Sequence, residues 1–312
     1  MSDSAVEFIA TGRSALFENS LYFGSCFQKF TVAQLVNKIV PQPSINLDSP
    51  MIIEFFGNVN HRRLVTMLAE LSCCLVYEDR NNIIRFVDIL GLESGSSDQK
   101  ADQAEINYQN MFRAPEARLR NPYNVITLSE YTMSTEYRQV SRTEQSPGEI
   151  TIYFDGPVTG ELDFELLPGF ALENVLVYTM YMKATLVGTG TAEIIVHGNR
   201  VTLTKSEVLY YAPWHSRREP DNPYQVDLPC MIRGEGFEVF RDWFLARRFT
   251  LIKMRLETNV SWAQNPALDL GDIMDVQLAK NGSSAPMIHT RQELNFLALK
   301  GSSRLIGNNV MR

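Results

Sequence analysis

Short segments rich in Val, Ile, Thr, Tyr and Phe follow one another through the second half of the chain, and turn signals separate them. The segments are 123–131, 149–155, 161–167, 174–188, 192–198 and 200–212. The turn signals include Ser146-Pro147-Gly148, Asp155-Gly156-Pro157, Pro168-Gly169 and Gly198-Asn199. Short strands at regular spacing are typical of sandwiches and barrels. We therefore predict an antiparallel β-sandwich or barrel.

One segment of this half has helical spacing instead. Within residues 236–248, Phe237, Phe240 and Phe244 recur at intervals of three and four, with Trp243 beside them. That spacing places the aromatic rings in one stripe on a helix. We predict a single inserted helix whose stripe packs into the core.

The first hundred residues combine helices with a hairpin. Apolar residues recur at helical spacing over 30–40, where Thr31 and Gln34 form a capping-box pattern. A second helix is predicted after Asn60, with its apolar face at Leu64, Met67, Leu68 and Leu71. Two apolar runs then flank Arg80-Asn81-Asn82, a sequence suited to a tight turn between antiparallel strands.

Residues 91–105 are polar, with Gly and Ser clustered, as in a linker or a mobile loop. We predict an α+β helix-hairpin subdomain over 1–105, with this polar linker at its end, and a β-rich domain over 106–312. The predicted fold class is α+β and β-dominated. It consists of a small N-terminal α/β subdomain followed by an antiparallel β-sandwich or barrel domain with one inserted helix.

Charge and cysteine content exclude several classes of protein. The 312 residues carry 29 Lys and Arg against 36 Asp and Glu, a net charge of −7, so nucleic acid is not expected as a partner. Four cysteines without a CxxC pair indicate free thiols rather than a disulfide scaffold or a metal site, and we expect Cys73 and Cys74 to pack in a core. We predict neither a signal peptide nor a membrane span.

The sequence contains few candidates for chemistry. Glu161, Asp163 and Glu165 alternate along a predicted strand and would share one face. Paired carboxylates perform catalysis in glycosidases, but acids alternating with apolar residues also form a solvated strand face, which we favour. The run Gly188-Thr189-Gly190 is predicted to be a hairpin turn rather than a phosphate cradle. We predict no catalytic, cofactor-binding or metal-binding residues, and no cofactor.

A second candidate is the run Trp214-His215-Ser216-Arg217-Arg218. Its aromatic and guanidinium groups could stack on a sugar or a base. Prolines on both sides indicate an irregular connection, and a contact between subunits accounts for the basic residues equally well.

Four segments resemble, in order along the chain, the hub and tail-tip proteins of tailed bacteriophages. They are 110–131, the alternating strand pair 188–207, the turn Asp221-Asn222-Pro223 before the helix that ends in DWFLARR, and the barrel-like segment 265–301. The N-terminal helices and hairpin also resemble the small α/β subdomain of this family, so the resemblance covers most of the chain.

The resemblance implies a structural role rather than an enzyme. Hub proteins of this type form trimers that adapt a sixfold tail tube to threefold tip structures. The resemblance therefore implies a homotrimer in the baseplate hub or tail tip, with tube, distal-tail and fibre proteins as partners and a part in host attachment. The location implied is the virion tail, after assembly in the host bacterial cytoplasm. Many relatives carry a further N-terminal β-barrel, which is expected here either from another chain or not at all, in a reduced version.

Two other functions stay open. A cell-wall glycan hydrolase would use carboxylates such as Asp163 and Glu165, in a cleft that holds two acids roughly 5–9.5 Å apart. A host-carbohydrate-binding module would need exposed aromatic residues such as Trp214 or Trp262 along one groove. The tail-hub interpretation instead buries these rings between elements or subunits.

Overall fold

The computed structural model describes most of the chain. The described residues are 21–23, 30–40, 44–45, 50–52, 58–79, 81, 83–88, 90, 100–119, 123–216, 220–254, 256–263, 268, 270, 272–280, 282, 284–295 and 300–307.

Within these ranges the chain forms three helices and a larger number of strands. The helices are α1 (Val32–Ile39), α2 (His61–Ser72) and α3 (Phe237–Lys253). The strands are β1 (Leu21–Phe23), β2 (Phe30–Thr31), β3 (Ser44–Ile45), β4 (Met51–Ile52), β5 (Asn58–Asn60), β6 (Cys74–Glu78), β7 (Ile84–Asp88), β8 (Lys100–Ile106), β9 (Glu116–Leu119), β10 (Val125–Gln145), β11 (Gly148–Tyr153), β12 (Val158–Leu166), β13 (Ala171–Val177), β14 (Tyr181–Val187), β15 (Ala192–Tyr211), β16 (Pro223–Arg233), β17 (Leu256–Trp262), β18 (Ile273–Gln277), β19 (Ser284–Asn295) and β20 (Lys300–Gly307).

The strands are arranged in several sheets. The larger ones have the strand orders β12-β15-β10-β16, β11-β14-β13, β8-β18-β19-β20-β17-β9 and β3-β7-β6. The predicted β-dominated α+β class is confirmed. The sheets are mixed rather than purely antiparallel, because β16 runs parallel to β10, β8 to β18 and β3 to β7.

The predicted N-terminal elements are present. In α1 the hydroxyl of Thr31 accepts from the N–H of Gln34, and the Gln34 side chain accepts from the N–H of Thr31, which completes the capping box. The predicted apolar face of α2 is buried. β6 and β7 form the predicted antiparallel hairpin. Asp79 holds its turn, because its carboxylate accepts from the N–H groups of Asn81 and Ile83.

Part of the predicted linker is a strand. Residues 91–99 lie outside the described part of the chain, but Lys100–Ile106 is strand β8 and pairs with β18. Pairing with a neighbouring strand satisfies the backbone of this polar segment, which composition alone could not indicate. The division into 1–105 and 106–312 stays a prediction.

Two long strands form a ribbon through the molecule. β10 and β15 pair antiparallel over 20 opposite positions, where the sequence predicted shorter strands and a turn at Gly198-Asn199. Gly198 instead lies within β15, opposite Arg138. A Cβ atom there would lie 2.5 Å from Leu162 Cδ2, so the Leu162 side chain of β12 occupies the space that the absent side chain leaves beside β15.

The ribbon connects two separate cores. The base core contains the three helices, the β6–β7 hairpin and one end of the ribbon, including Ile126 and Leu128 of β10. The distal core lies between the sheets β12-β15-β10 and β11-β14-β13 and includes Val140 and Ile194. A third core lies on the six-stranded sheet around Trp262.

The predicted aromatic stripe of α3 is buried in the base core, and α3 extends to Lys253.

The run Gly188-Thr189-Gly190 connects β14 to β15, which belong to different sheets, so it is not the predicted hairpin turn. Gly188 and Gly190 have φ values of 154° and 94°, conformations that favour glycine.

Among the described residues, none of the helices is long and apolar enough to cross a bilayer.

Candidate functional site

The predicted acidic residues lie on an exposed strand face. β12 is at the edge of its sheet, and Leu162, Phe164 and Leu166 pack against the distal core. The alternate residues Asp163 and Glu165 are exposed, and so is Glu161. The structure therefore places these acids where the solvated-face interpretation expects them.

Two neighbouring residues complete this acidic face. The hydroxyl of Tyr137 donates to Asp163 Oδ2 at 2.6 Å, and His197 Nε2 lies 3.0 Å from Glu165 Oε1. The Tyr137 and His197 rings stack with centroids 6.1 Å apart. The hydrogen bond to Asp163 raises the pKa of Tyr137. This cluster presents charge and hydrogen-bonding groups to solvent, which suits a polar contact surface.

A cavity of about 340 Å³ lies on the six-stranded sheet, and we call it the arginine cavity. Its lining is charged and polar: Arg113, Glu116, Arg118, Glu257, Asn259, Arg291, Glu293, Ser302, Ser303 and Arg304. Glu257 is almost fully buried, and its Oε1 accepts from Arg118 Nη2 and Arg304 Nε at 2.8 Å each. The lining differs from that of most small-molecule pockets, which are predominantly apolar. Neither Asp163 nor Glu165 belongs to it.

The two tryptophans singled out for sugar binding lie in different places. Trp262 is 3% exposed in the third core, and its Nε1 donates to Ser303 Oγ at 3.0 Å. Trp214 packs on α3, with its ring centroid 5.8 Å from that of Phe249 and 4.5 Å from Lys253 Nζ. They do not share a groove. Arg217 and Arg218 lie outside the described residues.

Two exposed tyrosines, Tyr153 and Tyr178, and the half-buried Tyr181 lie at one end of the β11-β14-β13 sheet, and we call this group the tyrosine patch. Tyr178 and Tyr181 stack with centroids 4.5 Å apart, and Tyr153 lies 5.9 Å from Tyr181. Tyr153 is 64% exposed and the adjacent Leu176 is 58% exposed. Exposed aromatic and apolar groups of this kind are enriched in protein contact surfaces.

Two carboxylates toward the base end of the ribbon, one buried and one exposed, each accept hydrogen bonds from a tyrosine and a cation. Glu130 is 1% exposed and accepts from Arg233 Nε at 2.7 Å and from the hydroxyl of Tyr210. On a neighbouring strand, Asp227 accepts from the Tyr131 hydroxyl and from Lys205 Nζ. Burial, followed by the hydrogen bonds to these carboxylates, raises the pKa of Tyr131 and of Tyr210 to about 12. Both phenols therefore remain neutral donors at physiological pH.

The described cysteines are in or near the base core. Cys73 and Cys230 are buried and Cys74 is partly buried, all three as free thiols. Burial raises the pKa of Cys74 and of Cys230 to about 12, which makes them unreactive. In the described part of the chain, no group of three or more His, Cys, Asp or Glu residues is arranged to hold a metal ion.

Together these features define a β-dominated α+β protein with a polar face and a tyrosine patch on its distal part and a charged cavity on its six-stranded sheet. No protein-family model matches the sequence, and no curated protein matches it.

The solved structures that are similar to this chain include three tail proteins. The first is the 43 kDa tail protein of prophage MuSo2 from Shewanella oneidensis, with 12% identity and a TM-score of 0.44 over 95% of this chain and 71% of that one. The second is the tail protein from Neisseria meningitidis MC58, with 8% identity and a TM-score of 0.47 over 94% and 71%. The third is the prophage tail protein gp18 from Listeria monocytogenes EGD-e, with 11% identity and a TM-score of 0.41 over 95% and 71%.

The sequence did not indicate the partners of the acids, the tyrosine patch or the arginine cavity. Asp163 and Tyr137 are 26 residues apart, and they meet only because β12 and β10 lie on either side of β15. Tyr153 of β11 and Tyr181 of β14 each stand next to a buried residue. This alternation marks the outer face of a strand but does not say which strands are neighbours.

Proposed function

We propose that this chain is a structural protein of a bacteriophage tail, in the tail tip or baseplate hub. It would self-associate as a homotrimer and link the tail tube to distal tip or fibre proteins. It would lie in the virion tail after assembly in the host bacterial cytoplasm, take part in host attachment and have no enzymatic activity. The order of the four segments that resemble hub and tail-tip proteins supports this proposal.

The positions of the surface groups in the structure also support the proposal. The tyrosine patch and the acidic face lie on the two sheets of the distal core, and the arginine cavity lies on the six-stranded sheet. The six-stranded sheet that bears the arginine cavity contacts the N-terminal hairpin through Ile288 and Leu75. A chain with separate surfaces on different sheets is suited to joining different neighbours, as a connecting protein in a tail does.

Purified phage particles test the assignment. We expect this protein in the virion by mass spectrometry, and at the distal end of the tail by immunogold electron microscopy. Mass measurement of the purified protein tests the homotrimer. Absence from virions would remove the proposal.

The hydrolase alternative has its own assay. The acids on β12 face Tyr137 and His197 on an exposed sheet rather than a lined cleft. We therefore expect no release of peptidoglycan fragments by the purified protein. Release that Asp163→Asn or Glu165→Gln abolishes would instead establish the enzyme.

A further inference from the structure

β15 has one side that is only partly covered by another strand. β10 pairs with the other side along the whole of Ala192–Tyr211. On this side β12 pairs with residues 194–200, and the N–H of Val201 donates to the carbonyl of Pro157 at 2.7 Å. Beyond Val201, no strand in the described part of the chain pairs with this side.

Two hydrogen bonds fix the direction of the backbone groups there. The N–H of Val201 points away from β10, whereas the N–H of Ala212 donates to the carbonyl of Asn124, on the β10 side, at 2.9 Å. Because these directions alternate along a strand, the odd-numbered residues of 203–209 direct N–H and C=O away from β10. None of these groups has a hydrogen-bond partner among the described residues. We call residues 203–209 the free edge.

The outward-bonding residues of the free edge have a regular order of side chains: Leu203, Lys205, Glu207 and Leu209. Lys205 and Glu207 are exposed, and Leu209 is 52% exposed. Within one chain Lys205 Nζ lies 3.4 Å from Glu207 Oε1 and 2.9 Å from Asp227 Oδ2, and both contacts are on the exposed surface that a second copy would meet. A lysine on an edge strand normally discourages pairing with another chain. Here the order is apolar, positive, negative, apolar, and this order is complementary to itself when read in the opposite direction.

We propose that two copies of this chain pair antiparallel through the free edge, about a twofold axis at Ser206. Lys205 then lies opposite Glu207 of the second copy, and Leu203 lies opposite Leu209 of the second copy, in both directions. Opposite residues exchange both backbone hydrogen bonds, and the charged and apolar pairs stabilise the contact.

Charge also selects the register. A shift by two residues in one direction places Glu207 opposite Glu207 of the second copy. A shift in the other direction places Lys205 opposite Lys205 of the second copy. A shift by one residue places outward groups opposite inward ones, so the backbone bonds cannot form. The register centred on Ser206 is the one in which both conditions are met.

The contact does not depend on the proposed tail function. A twofold interface uses the same patch on both copies, so by itself it gives a dimer. If the chain also forms the proposed threefold ring, the contact joins two rings. In both cases the assembly contains an even number of chains.

Two charge reversals test the register. Lys205→Glu places carboxylates opposite each other, and Glu207→Lys does the same with ammonium groups. We expect each variant alone to associate at least about tenfold more weakly than the wild type, measured by sedimentation velocity over a concentration series. An equal mixture of the two variants has opposite charges at both positions, so it should associate as the wild type does.

A backbone variant tests the hydrogen bonds. Glu207→Pro removes an outward N–H and leaves the ladder with β10 intact, so we expect weaker association with an unchanged far-ultraviolet circular dichroism spectrum. Lys183→Glu, on the central strand β14, is the matched control and should associate normally. An even-numbered assembly that the mixture restores supports the proposal. A monomeric or trimeric wild type, or single reversals that associate like the wild type, overturns it.

Discussion

At the scale of single residues, burial decides which side chains can react. Cys74 and Cys230 have pKa values raised to about 12, so both thiols are protonated at pH 8 in the folded chain. Because the thiolate is the reactive form, we expect alkylation to be about a thousandfold slower in the folded than in the unfolded chain. Peptide mass spectrometry after iodoacetamide treatment, with and without urea, measures this ratio. Equal labelling in both states would contradict the prediction.

Asp227 should make the free energy of unfolding depend on pH in the acidic range. The hydrogen bond from Tyr131 lowers the pKa of Asp227, and a lowered folded-state pKa contributes stability that is lost as pH falls through that value. Below about pH 4 the free energy of unfolding of Asp227→Asn should therefore fall less steeply than that of the wild type. Urea titrations at several pH values measure the slopes. Equal slopes would show that Asp227 is not stabilised in the fold.

At the scale of elements, two adjacent arginines attach α3 to the end of α2. Arg247 donates to the carbonyl of Ser72, at the C-terminus of α2, from Nε at 3.1 Å and from Nη2 at 2.9 Å, and pairs with Asp88. Arg248 donates to the carbonyl of Glu70 at 2.8 Å. A cation at a helix C-terminus satisfies carbonyls that have no partner within the helix.

Loss of this attachment should be costly. Arg247→Met leaves the Ser72 carbonyl without these donors and Asp88 without its cation, with only the Leu90 N–H bonded to it among the described residues, in a largely buried setting. We therefore expect a loss of about 2–4 kcal/mol in the free energy of unfolding. Arg113→Met is the control, because its exposed pair with Glu116 should contribute less than about 1 kcal/mol. Urea denaturation compares the two, and equal losses would refute the argument.

The elements also show how far sequence reasoning extends. The start of α1 could be predicted from Thr31 and Gln34, because the two residues of a capping box lie three positions apart in the sequence. The solvated face at Asp163 follows from alternation alone. The continuity of β15 through Gly198 does not, because pairing with β10 and β12 on both sides overrides a local turn signal. Tyr137 and His197 could not be placed beside the acids without knowing the register.

At the scale of the whole molecule, the base and distal cores are connected chiefly by β10 and β15. We therefore expect two thermal transitions. Ile194→Ala should destabilise the distal core by about 2–5 kcal/mol and lower one transition, and Leu68→Ala should act similarly on the other. Differential scanning calorimetry separates the two effects. A single transition shifted equally by both variants would show that the cores unfold together.

The two-stranded connection also determines how the molecule responds to mechanical load. β10 has 21 residues and β15 has 20, so each strand extends about 70 Å. A pull on the distal part away from the base acts along both covalent backbones at once, and neither strand is peeled from the other. The ribbon would therefore behave as a tether that resists stretching.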